Sequence, residues 1–217
     1  MDAVVFDLDG VLVDSETVWD EVRRSVAAAN GGTWAPGTTR AMMGMSTPEW
    51  AAYLATECGV RLPPERIAEA VIDGMVRRYA ERPPVLPGAV EVVRAVARDR
   101  LVAIASSSPP VLITEVLTAT GLSEVVGAAL SSEQTGAGKP APDVYLAAAK
   151  ALGVPPRECA AVEDSTNGIR SALNAGMTVY ALPNPHFPPD PDVLAAASAV
   201  LDDLRGLLAL LAADHRM

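Results

Sequence analysis

Two pairs of acidic residues stand directly after apolar runs of the sequence, where a strand would end. Asp7 and Asp9 follow the first run, and Glu163 and Asp164 follow a later one. Carboxylates that gather at one place repel one another unless a positive charge lies among them. A divalent cation with oxygen ligands removes that repulsion, and Mg²⁺ prefers few carboxylates together with waters and a substrate phosphate. The four acids therefore indicate a magnesium site, provided that the fold brings them together.

A hydroxyl cluster and a rare lysine extend this set of polar residues. Ser106, Ser107 and Ser108 follow another apolar run, and Lys139 lies in a glycine-rich segment. The chain has only two lysines, and the other one, Lys150, falls within a helical pattern where a solvated position is expected. A lysine beside helix N-termini forms an anion site. An anion site next to a cation is what phosphoryl transfer needs, because that reaction is catalysed by positioning and charge neutralisation.

Each motif by itself also has a purely structural explanation. An acid or a serine at a strand-to-helix turn often caps the following helix, which would account for the aspartates, the serines and the Glu-Asp pair. A single lysine is usually a surface charge. The functional interpretation therefore depends on the convergence of all four motifs at one place in the fold.

The apolar runs predict a parallel β-sheet. They lack the polar alternation of half-exposed strands, as strands buried on both faces do, and helical patterns lie between the last four of them. This alternation predicts an α/β fold with a doubly wound, Rossmann-like parallel sheet and helices on both faces. In such a sheet, ligands bind at the carboxyl ends of the strands, where the acidic pairs and the serines stand. The five runs are Ala3–Phe6, Leu101–Ala105, Val125–Leu130, Cys159–Val162 and Met177–Leu182.

More than ninety residues separate the first run from the second, which is too long for one crossover connection. Helical patterns fill this interval, so we predict an all-helical insert over residues 15–83 within a core formed by residues 1–14 and 84–217. The proline-rich segment Pro183–Pro191 is expected to be a surface loop. The predicted helices are Thr17–Ala29, Thr47–Glu57 and Glu65–Arg78 in the insert, and Val85–Ala97, Pro110–Thr120, Asp143–Leu152 and Thr166–Ala175 in the core.

Composition narrows the possible functions. Hydrophobic residues make up 50% of the chain and charged residues 20%, which excludes a disordered chain. The net charge of −10 is opposite in sign to that of a phosphate-backbone binder, so we expect no nucleic acid partner. No apolar run approaches the roughly 20 residues of a membrane span, and the first residues do not resemble a signal peptide. We expect Cys58 and Cys159 to be free buried thiols, which favours a cytoplasmic protein. We also expect a monomer or weak dimer that acts on a small phosphorylated metabolite and has no membrane partner.

The motifs resemble those of the haloacid dehalogenase superfamily in order and spacing along the whole chain. Segment 7–15, with the sequence DLDGVLVDS, resembles the first motif of that superfamily, and Ser106 resembles the second. Lys139-Pro140 resembles the third motif, and Glu163-Asp164-Ser165 with Gly168-Ile169 resembles the fourth. The helical insert is similar to the cap domain of the subgroup that contains β-phosphoglucomutase and phosphoglycolate phosphatase.

The resemblance implies a catalytic role for the matching residues. Asp7 would be the nucleophile that attacks phosphorus and forms an aspartyl-phosphate. Asp9 would protonate the leaving oxygen and then deprotonate the water that hydrolyses the intermediate. Ser106, Ser107 and Lys139 would bind the phosphoryl oxygens.

The resemblance also implies Mg²⁺ as cofactor. The ion would be bound by the carboxylates of Asp7 and Asp164 and by the main-chain carbonyl of Asp9, with Glu163 bound to the ion or behind its ligands. The cap over residues 15–83 would close over a small phosphorylated substrate and exclude bulk water.

Departures from the family pattern narrow the reaction. Dehalogenases of the superfamily lack the second aspartate, so the presence of Asp9 disfavours dehalogenation. Phosphonate-cleaving members use a cap lysine, and residues 15–83 contain none. In the β-phosphoglucomutases we expect a histidine where this chain has Trp19, and an arginine after the Gly-x-Ser of segment 44–46, where this chain has Thr47.

These features predict a Mg²⁺-dependent phosphatase that hydrolyses a small phosphate monoester, either a sugar phosphate or an organic-acid phosphate. The alternative is a sugar-phosphate mutase of the β-phosphoglucomutase type, which would need a second phosphate site. A third candidate is a phospho-acceptor signalling module of the receiver type, which also combines carboxylates, a hydroxyl and a lysine on a parallel sheet. Such modules are shorter, however, and carry no helical insert.

Overall fold

The computed structural model describes residues 1–42, 45–185 and 188–214. The chain divides into two compact units, a core unit of Met1–Asp14 with Pro83–Met217 and an insert unit of Ser15–Arg82. The helices are Glu16–Ala29 (α1), Thr38–Ala41 (α2), Thr47–Thr56 (α3), Pro64–Glu81 (α4), Ala89–Val96 (α5), Pro110–Thr120 (α6), Asp143–Leu152 (α7), Thr166–Asn174 (α8), Pro191–Ala196 (α9) and Gly206–Asp214 (α10). Short 3₁₀ turns occur at Leu122–Glu124, Ser132–Gln134 and Pro156–Glu158.

The core unit contains a six-stranded parallel sheet, which confirms the predicted α/β fold class. The strand order is β3-β2-β1-β4-β5-β6, so the first strand of the chain lies in the interior of the sheet. Phe6, the last residue of this strand, pairs with Ile104 on one side and with Val162 on the other. The strands are Ala3–Phe6 (β1), Leu101–Ser106 (β2), Ala128–Ser131 (β3), Cys159–Glu163 (β4), Thr178–Ala181 (β5) and Ala199–Val200 (β6).

The inner strands are apolar because both of their faces are buried. All four residues of β1 are fully buried, as are the five residues of β4. Alternate residues of β1, such as Ala3 and Val5, pack in one cluster with Val144 and Ala148 of α7 and with Ile169 of α8. Burial of this kind stabilises the sheet by the hydrophobic effect and leaves the strand ends as the natural place for polar groups.

The edges of the sheet differ from the prediction. The third strand begins at Ala128 rather than Val125 and is only partly buried, because it forms one edge of the sheet and lacks a second neighbour. At the other edge β6 has two residues, too few to give a recognisable pattern in the sequence. The short helix α9 begins where the predicted proline-rich loop ends, at Pro191. Residues 186 and 187 of that segment lie outside the described residues.

The first helix after the insert is shorter than predicted. It begins at Ala89 rather than Val85, because Gly88 has a φ of +81° and therefore cannot continue a right-handed helix. Val85 instead forms an antiparallel bridge with Val13. This pairing brings the two chain segments that flank the insert side by side within the core unit.

The insert unit consists of helices in the part of the chain that the structure describes. Helices α3 and α1 both contact α4. At Gly74 of α4 an added Cβ would lie 2.6 Å from Val22 Cγ1, so the absence of a side chain there lets α1 approach. Helix α3 begins with a capping box, in which Ser46 and Glu49 satisfy each other's backbone amides. Gly44, the first residue of the Gly-x-Ser segment, lies outside the described residues.

Two further features of the chain follow from burial and helix length. Cys58 and Cys159 are free and buried. None of the helices within the described ranges combines the length and the apolar character that crossing a bilayer requires.

Candidate active site

The ends of β1, β2 and β4, with the segment that precedes α7, bring polar side chains together within the core unit. Asp7 follows β1, Ser106 ends β2, Glu163 ends β4, and Lys139 lies shortly before α7. Because β1 lies between β2 and β4 in a parallel sheet, these carboxyl ends are neighbours. The acids, the serine and the lysine identified from the sequence therefore meet at the carboxyl ends of the inner strands.

Lys139 is the centre of the charged network. Its Nζ donates hydrogen bonds to Asp7 Oδ1 at 2.7 Å, to Glu163 Oε1 at 2.5 Å and to the Ala105 carbonyl at 3.1 Å. The side chains of Lys139 and Asp7 are only 7% and 8% exposed. Burial lowers the pKa of Lys139, but the charges of Asp7 and Glu163 outweigh burial and raise this pKa above its usual value. The ammonium group therefore keeps its charge between two carboxylates.

The Glu163 carboxylate is surrounded by hydrogen-bond donors. Besides Lys139, its Oε1 accepts from the Tyr145 hydroxyl at 2.8 Å. Its Oε2 accepts from the backbone amide of Asp164 at 3.0 Å, and from the amide and hydroxyl of Ser165 at 3.3 and 3.1 Å. Burial raises the pKa of Tyr145 well above its usual value, so its hydroxyl remains a donor. Glu163 is fully buried, and these five contacts compensate its loss of water.

Two glycines make room for the acids of the fourth motif. Gly10, in the turn after Asp9, has a φ of +79°, and a Cβ at this position would overlap Asp164 Oδ2. A Cβ at Gly168 would overlap the carboxyl group of Glu163. Both positions therefore need glycine because the carboxylates approach the backbone closely. The Ser165 hydroxyl accepts from the Gly168 amide at 3.1 Å and caps α8.

Asp9 is held by serine hydroxyls from the end of β2. Ser108 Oγ donates to Asp9 Oδ2 at 2.7 Å, and Ser106 Oγ donates to the same oxygen at 3.2 Å. The Ser108 amide donates to Ser106 Oγ at 2.9 Å, and Ser131 Oγ donates to the Ser108 carbonyl at 2.7 Å. Ser107 is exposed. Ser108 was part of the hydroxyl cluster in the sequence, but its bond to Asp9 was not predicted.

The positive charge around the carboxylates at the site is too small to offset their burial and mutual repulsion. Burial raises the pKa of Asp7 to about 8, although the Lys139 charge opposes this rise. Burial, reinforced by the charges of Glu163 and Asp7, raises the pKa of Asp164 to about 9. Ligand oxygens of Asp7, Glu163 and Asp164 all lie within 4.8 Å of one another. Asp9 Oδ1 is buried and has no hydrogen-bond partner among the described residues. This donor set fits a divalent cation with oxygen ligands.

A separate cluster lies wholly within the insert unit. The guanidinium carbon of Arg23 is 4.7 Å from the ring centre of Trp19 and 4.9 Å from that of Trp50. The two rings are 6.0 Å apart and inclined at 59°. Burial lowers the pKa of Arg23 to about 10, although Glu16 and Asp20 oppose this effect. Sequence patterning did not predict this cluster, because a charged residue on an amphipathic helix usually faces solvent.

Comparison with known proteins extends the similarity beyond the motifs. A model of the haloacid dehalogenase-like hydrolase family matches residues 1–176. Hexitol phosphatase B of Escherichia coli strain K12 is 34% identical over 201 residues, which cover 89% of each chain. A phosphorylated carbohydrates phosphatase of Thermotoga maritima is 30% identical over 178 residues, which cover 82% of each chain.

A solved structure supports the same relationship. The HAD family hydrolase from Deinococcus radiodurans R1, determined with bound phosphate and sodium, is 34% identical to this chain. The match covers 98% of this chain and 95% of that one, with a TM-score of 0.69. The predicted enzyme class, a phosphoric monoester hydrolase, is confirmed at the level of these relatives. From its four motifs, its sheet and these matches, the chain belongs to the haloacid dehalogenase-like hydrolase family.

Proposed function

We propose that this enzyme is a Mg²⁺-dependent phosphatase that hydrolyses a small phosphate monoester through an aspartyl-phosphate intermediate. The observation that carries this proposal is the buried Asp7 carboxylate, which lies 2.7 Å from Lys139 and within 4.8 Å of two further carboxylates. A nucleophile, a cation for the phosphoryl group and a donor set for a metal thus occupy one place. The names of the two phosphatase relatives favour a sugar or hexitol phosphate over an organic-acid phosphate as substrate.

In the first step, an oxygen of Asp7 attacks phosphorus while the bond from phosphorus to the ester oxygen breaks. Asp9 donates its proton to that leaving oxygen, so that an alcohol departs. In the second step, Asp9 accepts a proton from a water molecule, whose oxygen attacks phosphorus. The bond to Asp7 then breaks, which releases inorganic phosphate and restores both aspartates.

The serines and the lysine serve the phosphoryl group in this proposal. Lys139, with Ser106 and Ser107, contacts its oxygens and neutralises their charge. Ser106 Oγ then exchanges its 3.2 Å bond to Asp9 for one to a phosphoryl oxygen. Ser108, which donates to Asp9 at the shorter distance of 2.7 Å, keeps that acid in position.

The acids that would bind Mg²⁺ are Asp7 and Asp164, together with the carbonyl of Asp9. Glu163 fits a place behind these ligands better, because its two oxygens already accept five hydrogen bonds. When bound, Mg²⁺ supplies positive charge that lowers the repulsion between the attacking carboxylate and the phosphoryl oxygens.

Several of the finer predictions stay predictions. They are the domain boundaries at residues 14–15 and 83–84, the role of the insert as a cap, and a monomer or weak dimer as the oligomeric state. We propose a cytoplasmic location, which the two free cysteines support. The mutase alternative is not favoured, because Trp19 and Thr47 replace the histidine and arginine expected of β-phosphoglucomutases.

Release of inorganic phosphate from a panel of monoesters tests the proposal. The panel contains hexitol phosphates, sugar phosphates and organic-acid phosphates, each assayed with Mg²⁺ and with excess chelator. We expect hydrolysis of at least one sugar or hexitol phosphate that chelator abolishes and added Mg²⁺ restores. Conversion of β-glucose 1-phosphate to glucose 6-phosphate without net phosphate release would contradict the proposal in favour of the mutase. Hydrolysis that chelator leaves unchanged would contradict the role of the metal.

A further inference from the structure

Tyr145 is hydrogen-bonded to the charged network around Lys139, although it belongs to none of the four sequence motifs. It lies in the first turn of α7, just after the segment that carries Lys139, and is fully buried. Its hydroxyl donates to Glu163 Oε1 at 2.8 Å, the same oxygen that accepts from Lys139 at 2.5 Å. The centre of its ring is 5.1 Å from Lys139 Nζ. In the sequence Tyr145 belongs to the apolar stripe of a helix, which gives no sign of a polar role.

The hydrogen bonds of Lys139 explain why the orientation of Glu163 matters. An ammonium group has three donors, and those of Lys139 are directed to Asp7, Glu163 and the Ala105 carbonyl. The position of the ammonium beside Asp7 is therefore set by where the other two acceptors stand. The Ala105 carbonyl is fixed by the sheet, whereas Glu163 Oε1 is at the end of a flexible side chain.

We infer that Tyr145 is a positioning residue, whose hydroxyl holds Glu163 Oε1 in place and thereby keeps the Lys139 ammonium beside the Asp7 carboxylate. The backbone amides of Asp164 and Ser165 fix only the other oxygen, Oε2. Without the Tyr145 hydroxyl the Glu163 carboxylate can rotate about that anchored oxygen, and a buried acceptor position on Oε1 is left unfilled.

The consequence for catalysis rests on the proposed function. Lys139 would contact the phosphoryl group both in the bound substrate and in the transition state, so its displacement weakens both to a similar extent. For Tyr145→Phe we expect the KM and the dissociation constant for inorganic phosphate to rise together, by roughly three- to tenfold. We expect kcat to change by less than about twofold, because uniform binding affects KM alone.

The scarcity of lysines allows a direct spectroscopic test. In a Lys150→Arg protein labelled with ¹⁵N at lysine Nζ, the only labelled ammonium group belongs to Lys139. Lys150 itself is exposed, so its replacement leaves the site intact. Hydrogens of a buried ammonium with three acceptors exchange slowly with water, and they give an observable correlation in the NMR spectrum. We expect this signal in the parent protein and an exchange rate at least fivefold higher after Tyr145→Phe.

Two comparisons separate positioning from a general loss of packing. Tyr53→Phe removes a hydroxyl from a tyrosine of the insert unit and should leave both the signal and the KM unchanged. In a Glu163→Gln background, Tyr145→Phe should have no further effect on exchange or on phosphate binding, because Tyr145 acts through the carboxylate. Independent, additive effects of the two substitutions would overturn the inference, and so would a Lys139 signal that Tyr145→Phe leaves unchanged. If Tyr145→Phe is too unstable to purify, Tyr145→Met, which also lacks a hydrogen-bond donor and adds no bulk to this fully buried position, takes its place.

The spectroscopic result also separates this inference from the proposed function. A Lys139 signal that depends on Tyr145 in a protein that hydrolyses no monoester would support the inference and refute the phosphatase. Active phosphatase with an unchanged signal and unchanged KM in Tyr145→Phe would refute the inference alone.

Discussion

Lys139 Nζ lies 2.7 Å from Asp7 Oδ1, so the residue proposed to bind the phosphoryl group is ion-paired with the residue proposed to attack it. The Lys139 charge opposes the rise that burial causes in the pKa of Asp7, but burial outweighs it, so this pKa stays raised, at about 8. The ion pair also means that the approach of a phosphoryl group must share or replace a hydrogen bond of Lys139. The nucleophile and its electrostatic partner are thus organised by the fold itself.

Asp7→Asn should abolish turnover, because an amide oxygen is a far weaker nucleophile than a carboxylate. We expect kcat to fall by roughly a thousandfold or more, as measured by phosphate release from the best substrate of the panel. Asp99→Asn, the same change at an exposed position of the core unit, should retain the parent rate. A rate within tenfold of the parent in Asp7→Asn would show that another group attacks phosphorus.

The raised pKa values of Asp7 and Asp164 predict how stability depends on pH without a metal. Their folded-state pKa values, about 8 and about 9, lie above the ordinary value of 3.8. Between the ordinary pKa of 3.8 and the folded-state values of about 8 and about 9, the folded state binds more protons than the unfolded state. The free energy of unfolding therefore falls as the pH rises through this range. The stabilising contribution of the two groups is complete below about pH 4 and is lost as the pH passes through 8 and 9.

Binding of Mg²⁺ should reverse this trend, because the ion displaces the protons. We expect the apparent affinity to rise by up to ~10-fold per pH unit between pH 6 and 8 for each proton displaced. The increase in Tm on adding Mg²⁺, measured by calorimetry against NaCl of equal ionic strength, should be larger at pH 8 than at pH 6. Asp164→Asn should reduce this difference. An increase in Tm that is equal at both pH values would argue against these carboxylates as metal ligands.

The positions of the catalytic motifs could be predicted because they depend on the sheet alone. The runs that form β1, β2 and β4 are buried on both faces, so their apolar patterns are complete and their ends are sharply marked. In a parallel sheet the ends of neighbouring strands meet, which brings Asp7, Ser106 and Glu163 together without knowledge of any side chain. Elements at the sheet edges, such as the two-residue β6, leave no such pattern.

The hydrogen bonds between side chains could not be predicted in the same way. The Ser108 hydroxyl reaches Asp9 and the Tyr145 hydroxyl reaches Glu163 only because of the way the backbone turns between strand and helix. Tyr145 in particular has the sequence environment of a core residue, and its ring is indeed buried among apolar groups. Whether such a hydroxyl finds a carboxylate is decided by tertiary packing, which hydrophobic periodicity does not describe.

Arg23→Met should destabilise the insert unit, because the guanidinium lies within cation–π distance of both the Trp19 and the Trp50 ring. A partly desolvated cation–π pair contributes about 1–2 kcal/mol, and methionine preserves much of the packing. All three tryptophans of the chain lie in the insert, so the unfolding of this unit can be followed by tryptophan emission in urea.

Arg24→Met provides the matched comparison for Arg23. The Arg24 guanidinium lies 5.2 Å from the Trp34 ring and pairs with Asp20 at 2.6 Å, but its side chain is 54% exposed. Solvent screens such pairs, so we expect a loss of less than about 1 kcal/mol. A larger loss for Arg24→Met than for Arg23→Met would contradict the assignment of the buried Arg23–Trp19–Trp50 cluster as the stabilising one.

Gly10→Ala should damage both stability and metal binding. The φ of +79° is unfavourable for alanine by roughly 1–2 kcal/mol, and the added Cβ would overlap Asp164 Oδ2. Since the backbone of the turn is fixed by the bond from the Gly10 amide to the Val13 carbonyl at 2.8 Å, the Asp164 carboxylate is the group that must move. We therefore expect a loss of about 3 kcal/mol or more in urea unfolding, together with a smaller increase of Tm on adding Mg²⁺.

Gly153→Ala separates the steric effect at Gly10 from the backbone effect. Gly153 has a φ of +71°, but an added Cβ there would meet nothing within 4 Å. Its substitution should cost only the roughly 1–2 kcal/mol of the left-handed conformation and should leave the response to Mg²⁺ unchanged. If the two variants lose equal stability and respond equally to Mg²⁺, the close approach of Asp164 to the Gly10 turn has no role in holding the metal. A selective loss of the response in Gly10→Ala would mean that the turn after Asp9 shapes the site by leaving space for Asp164.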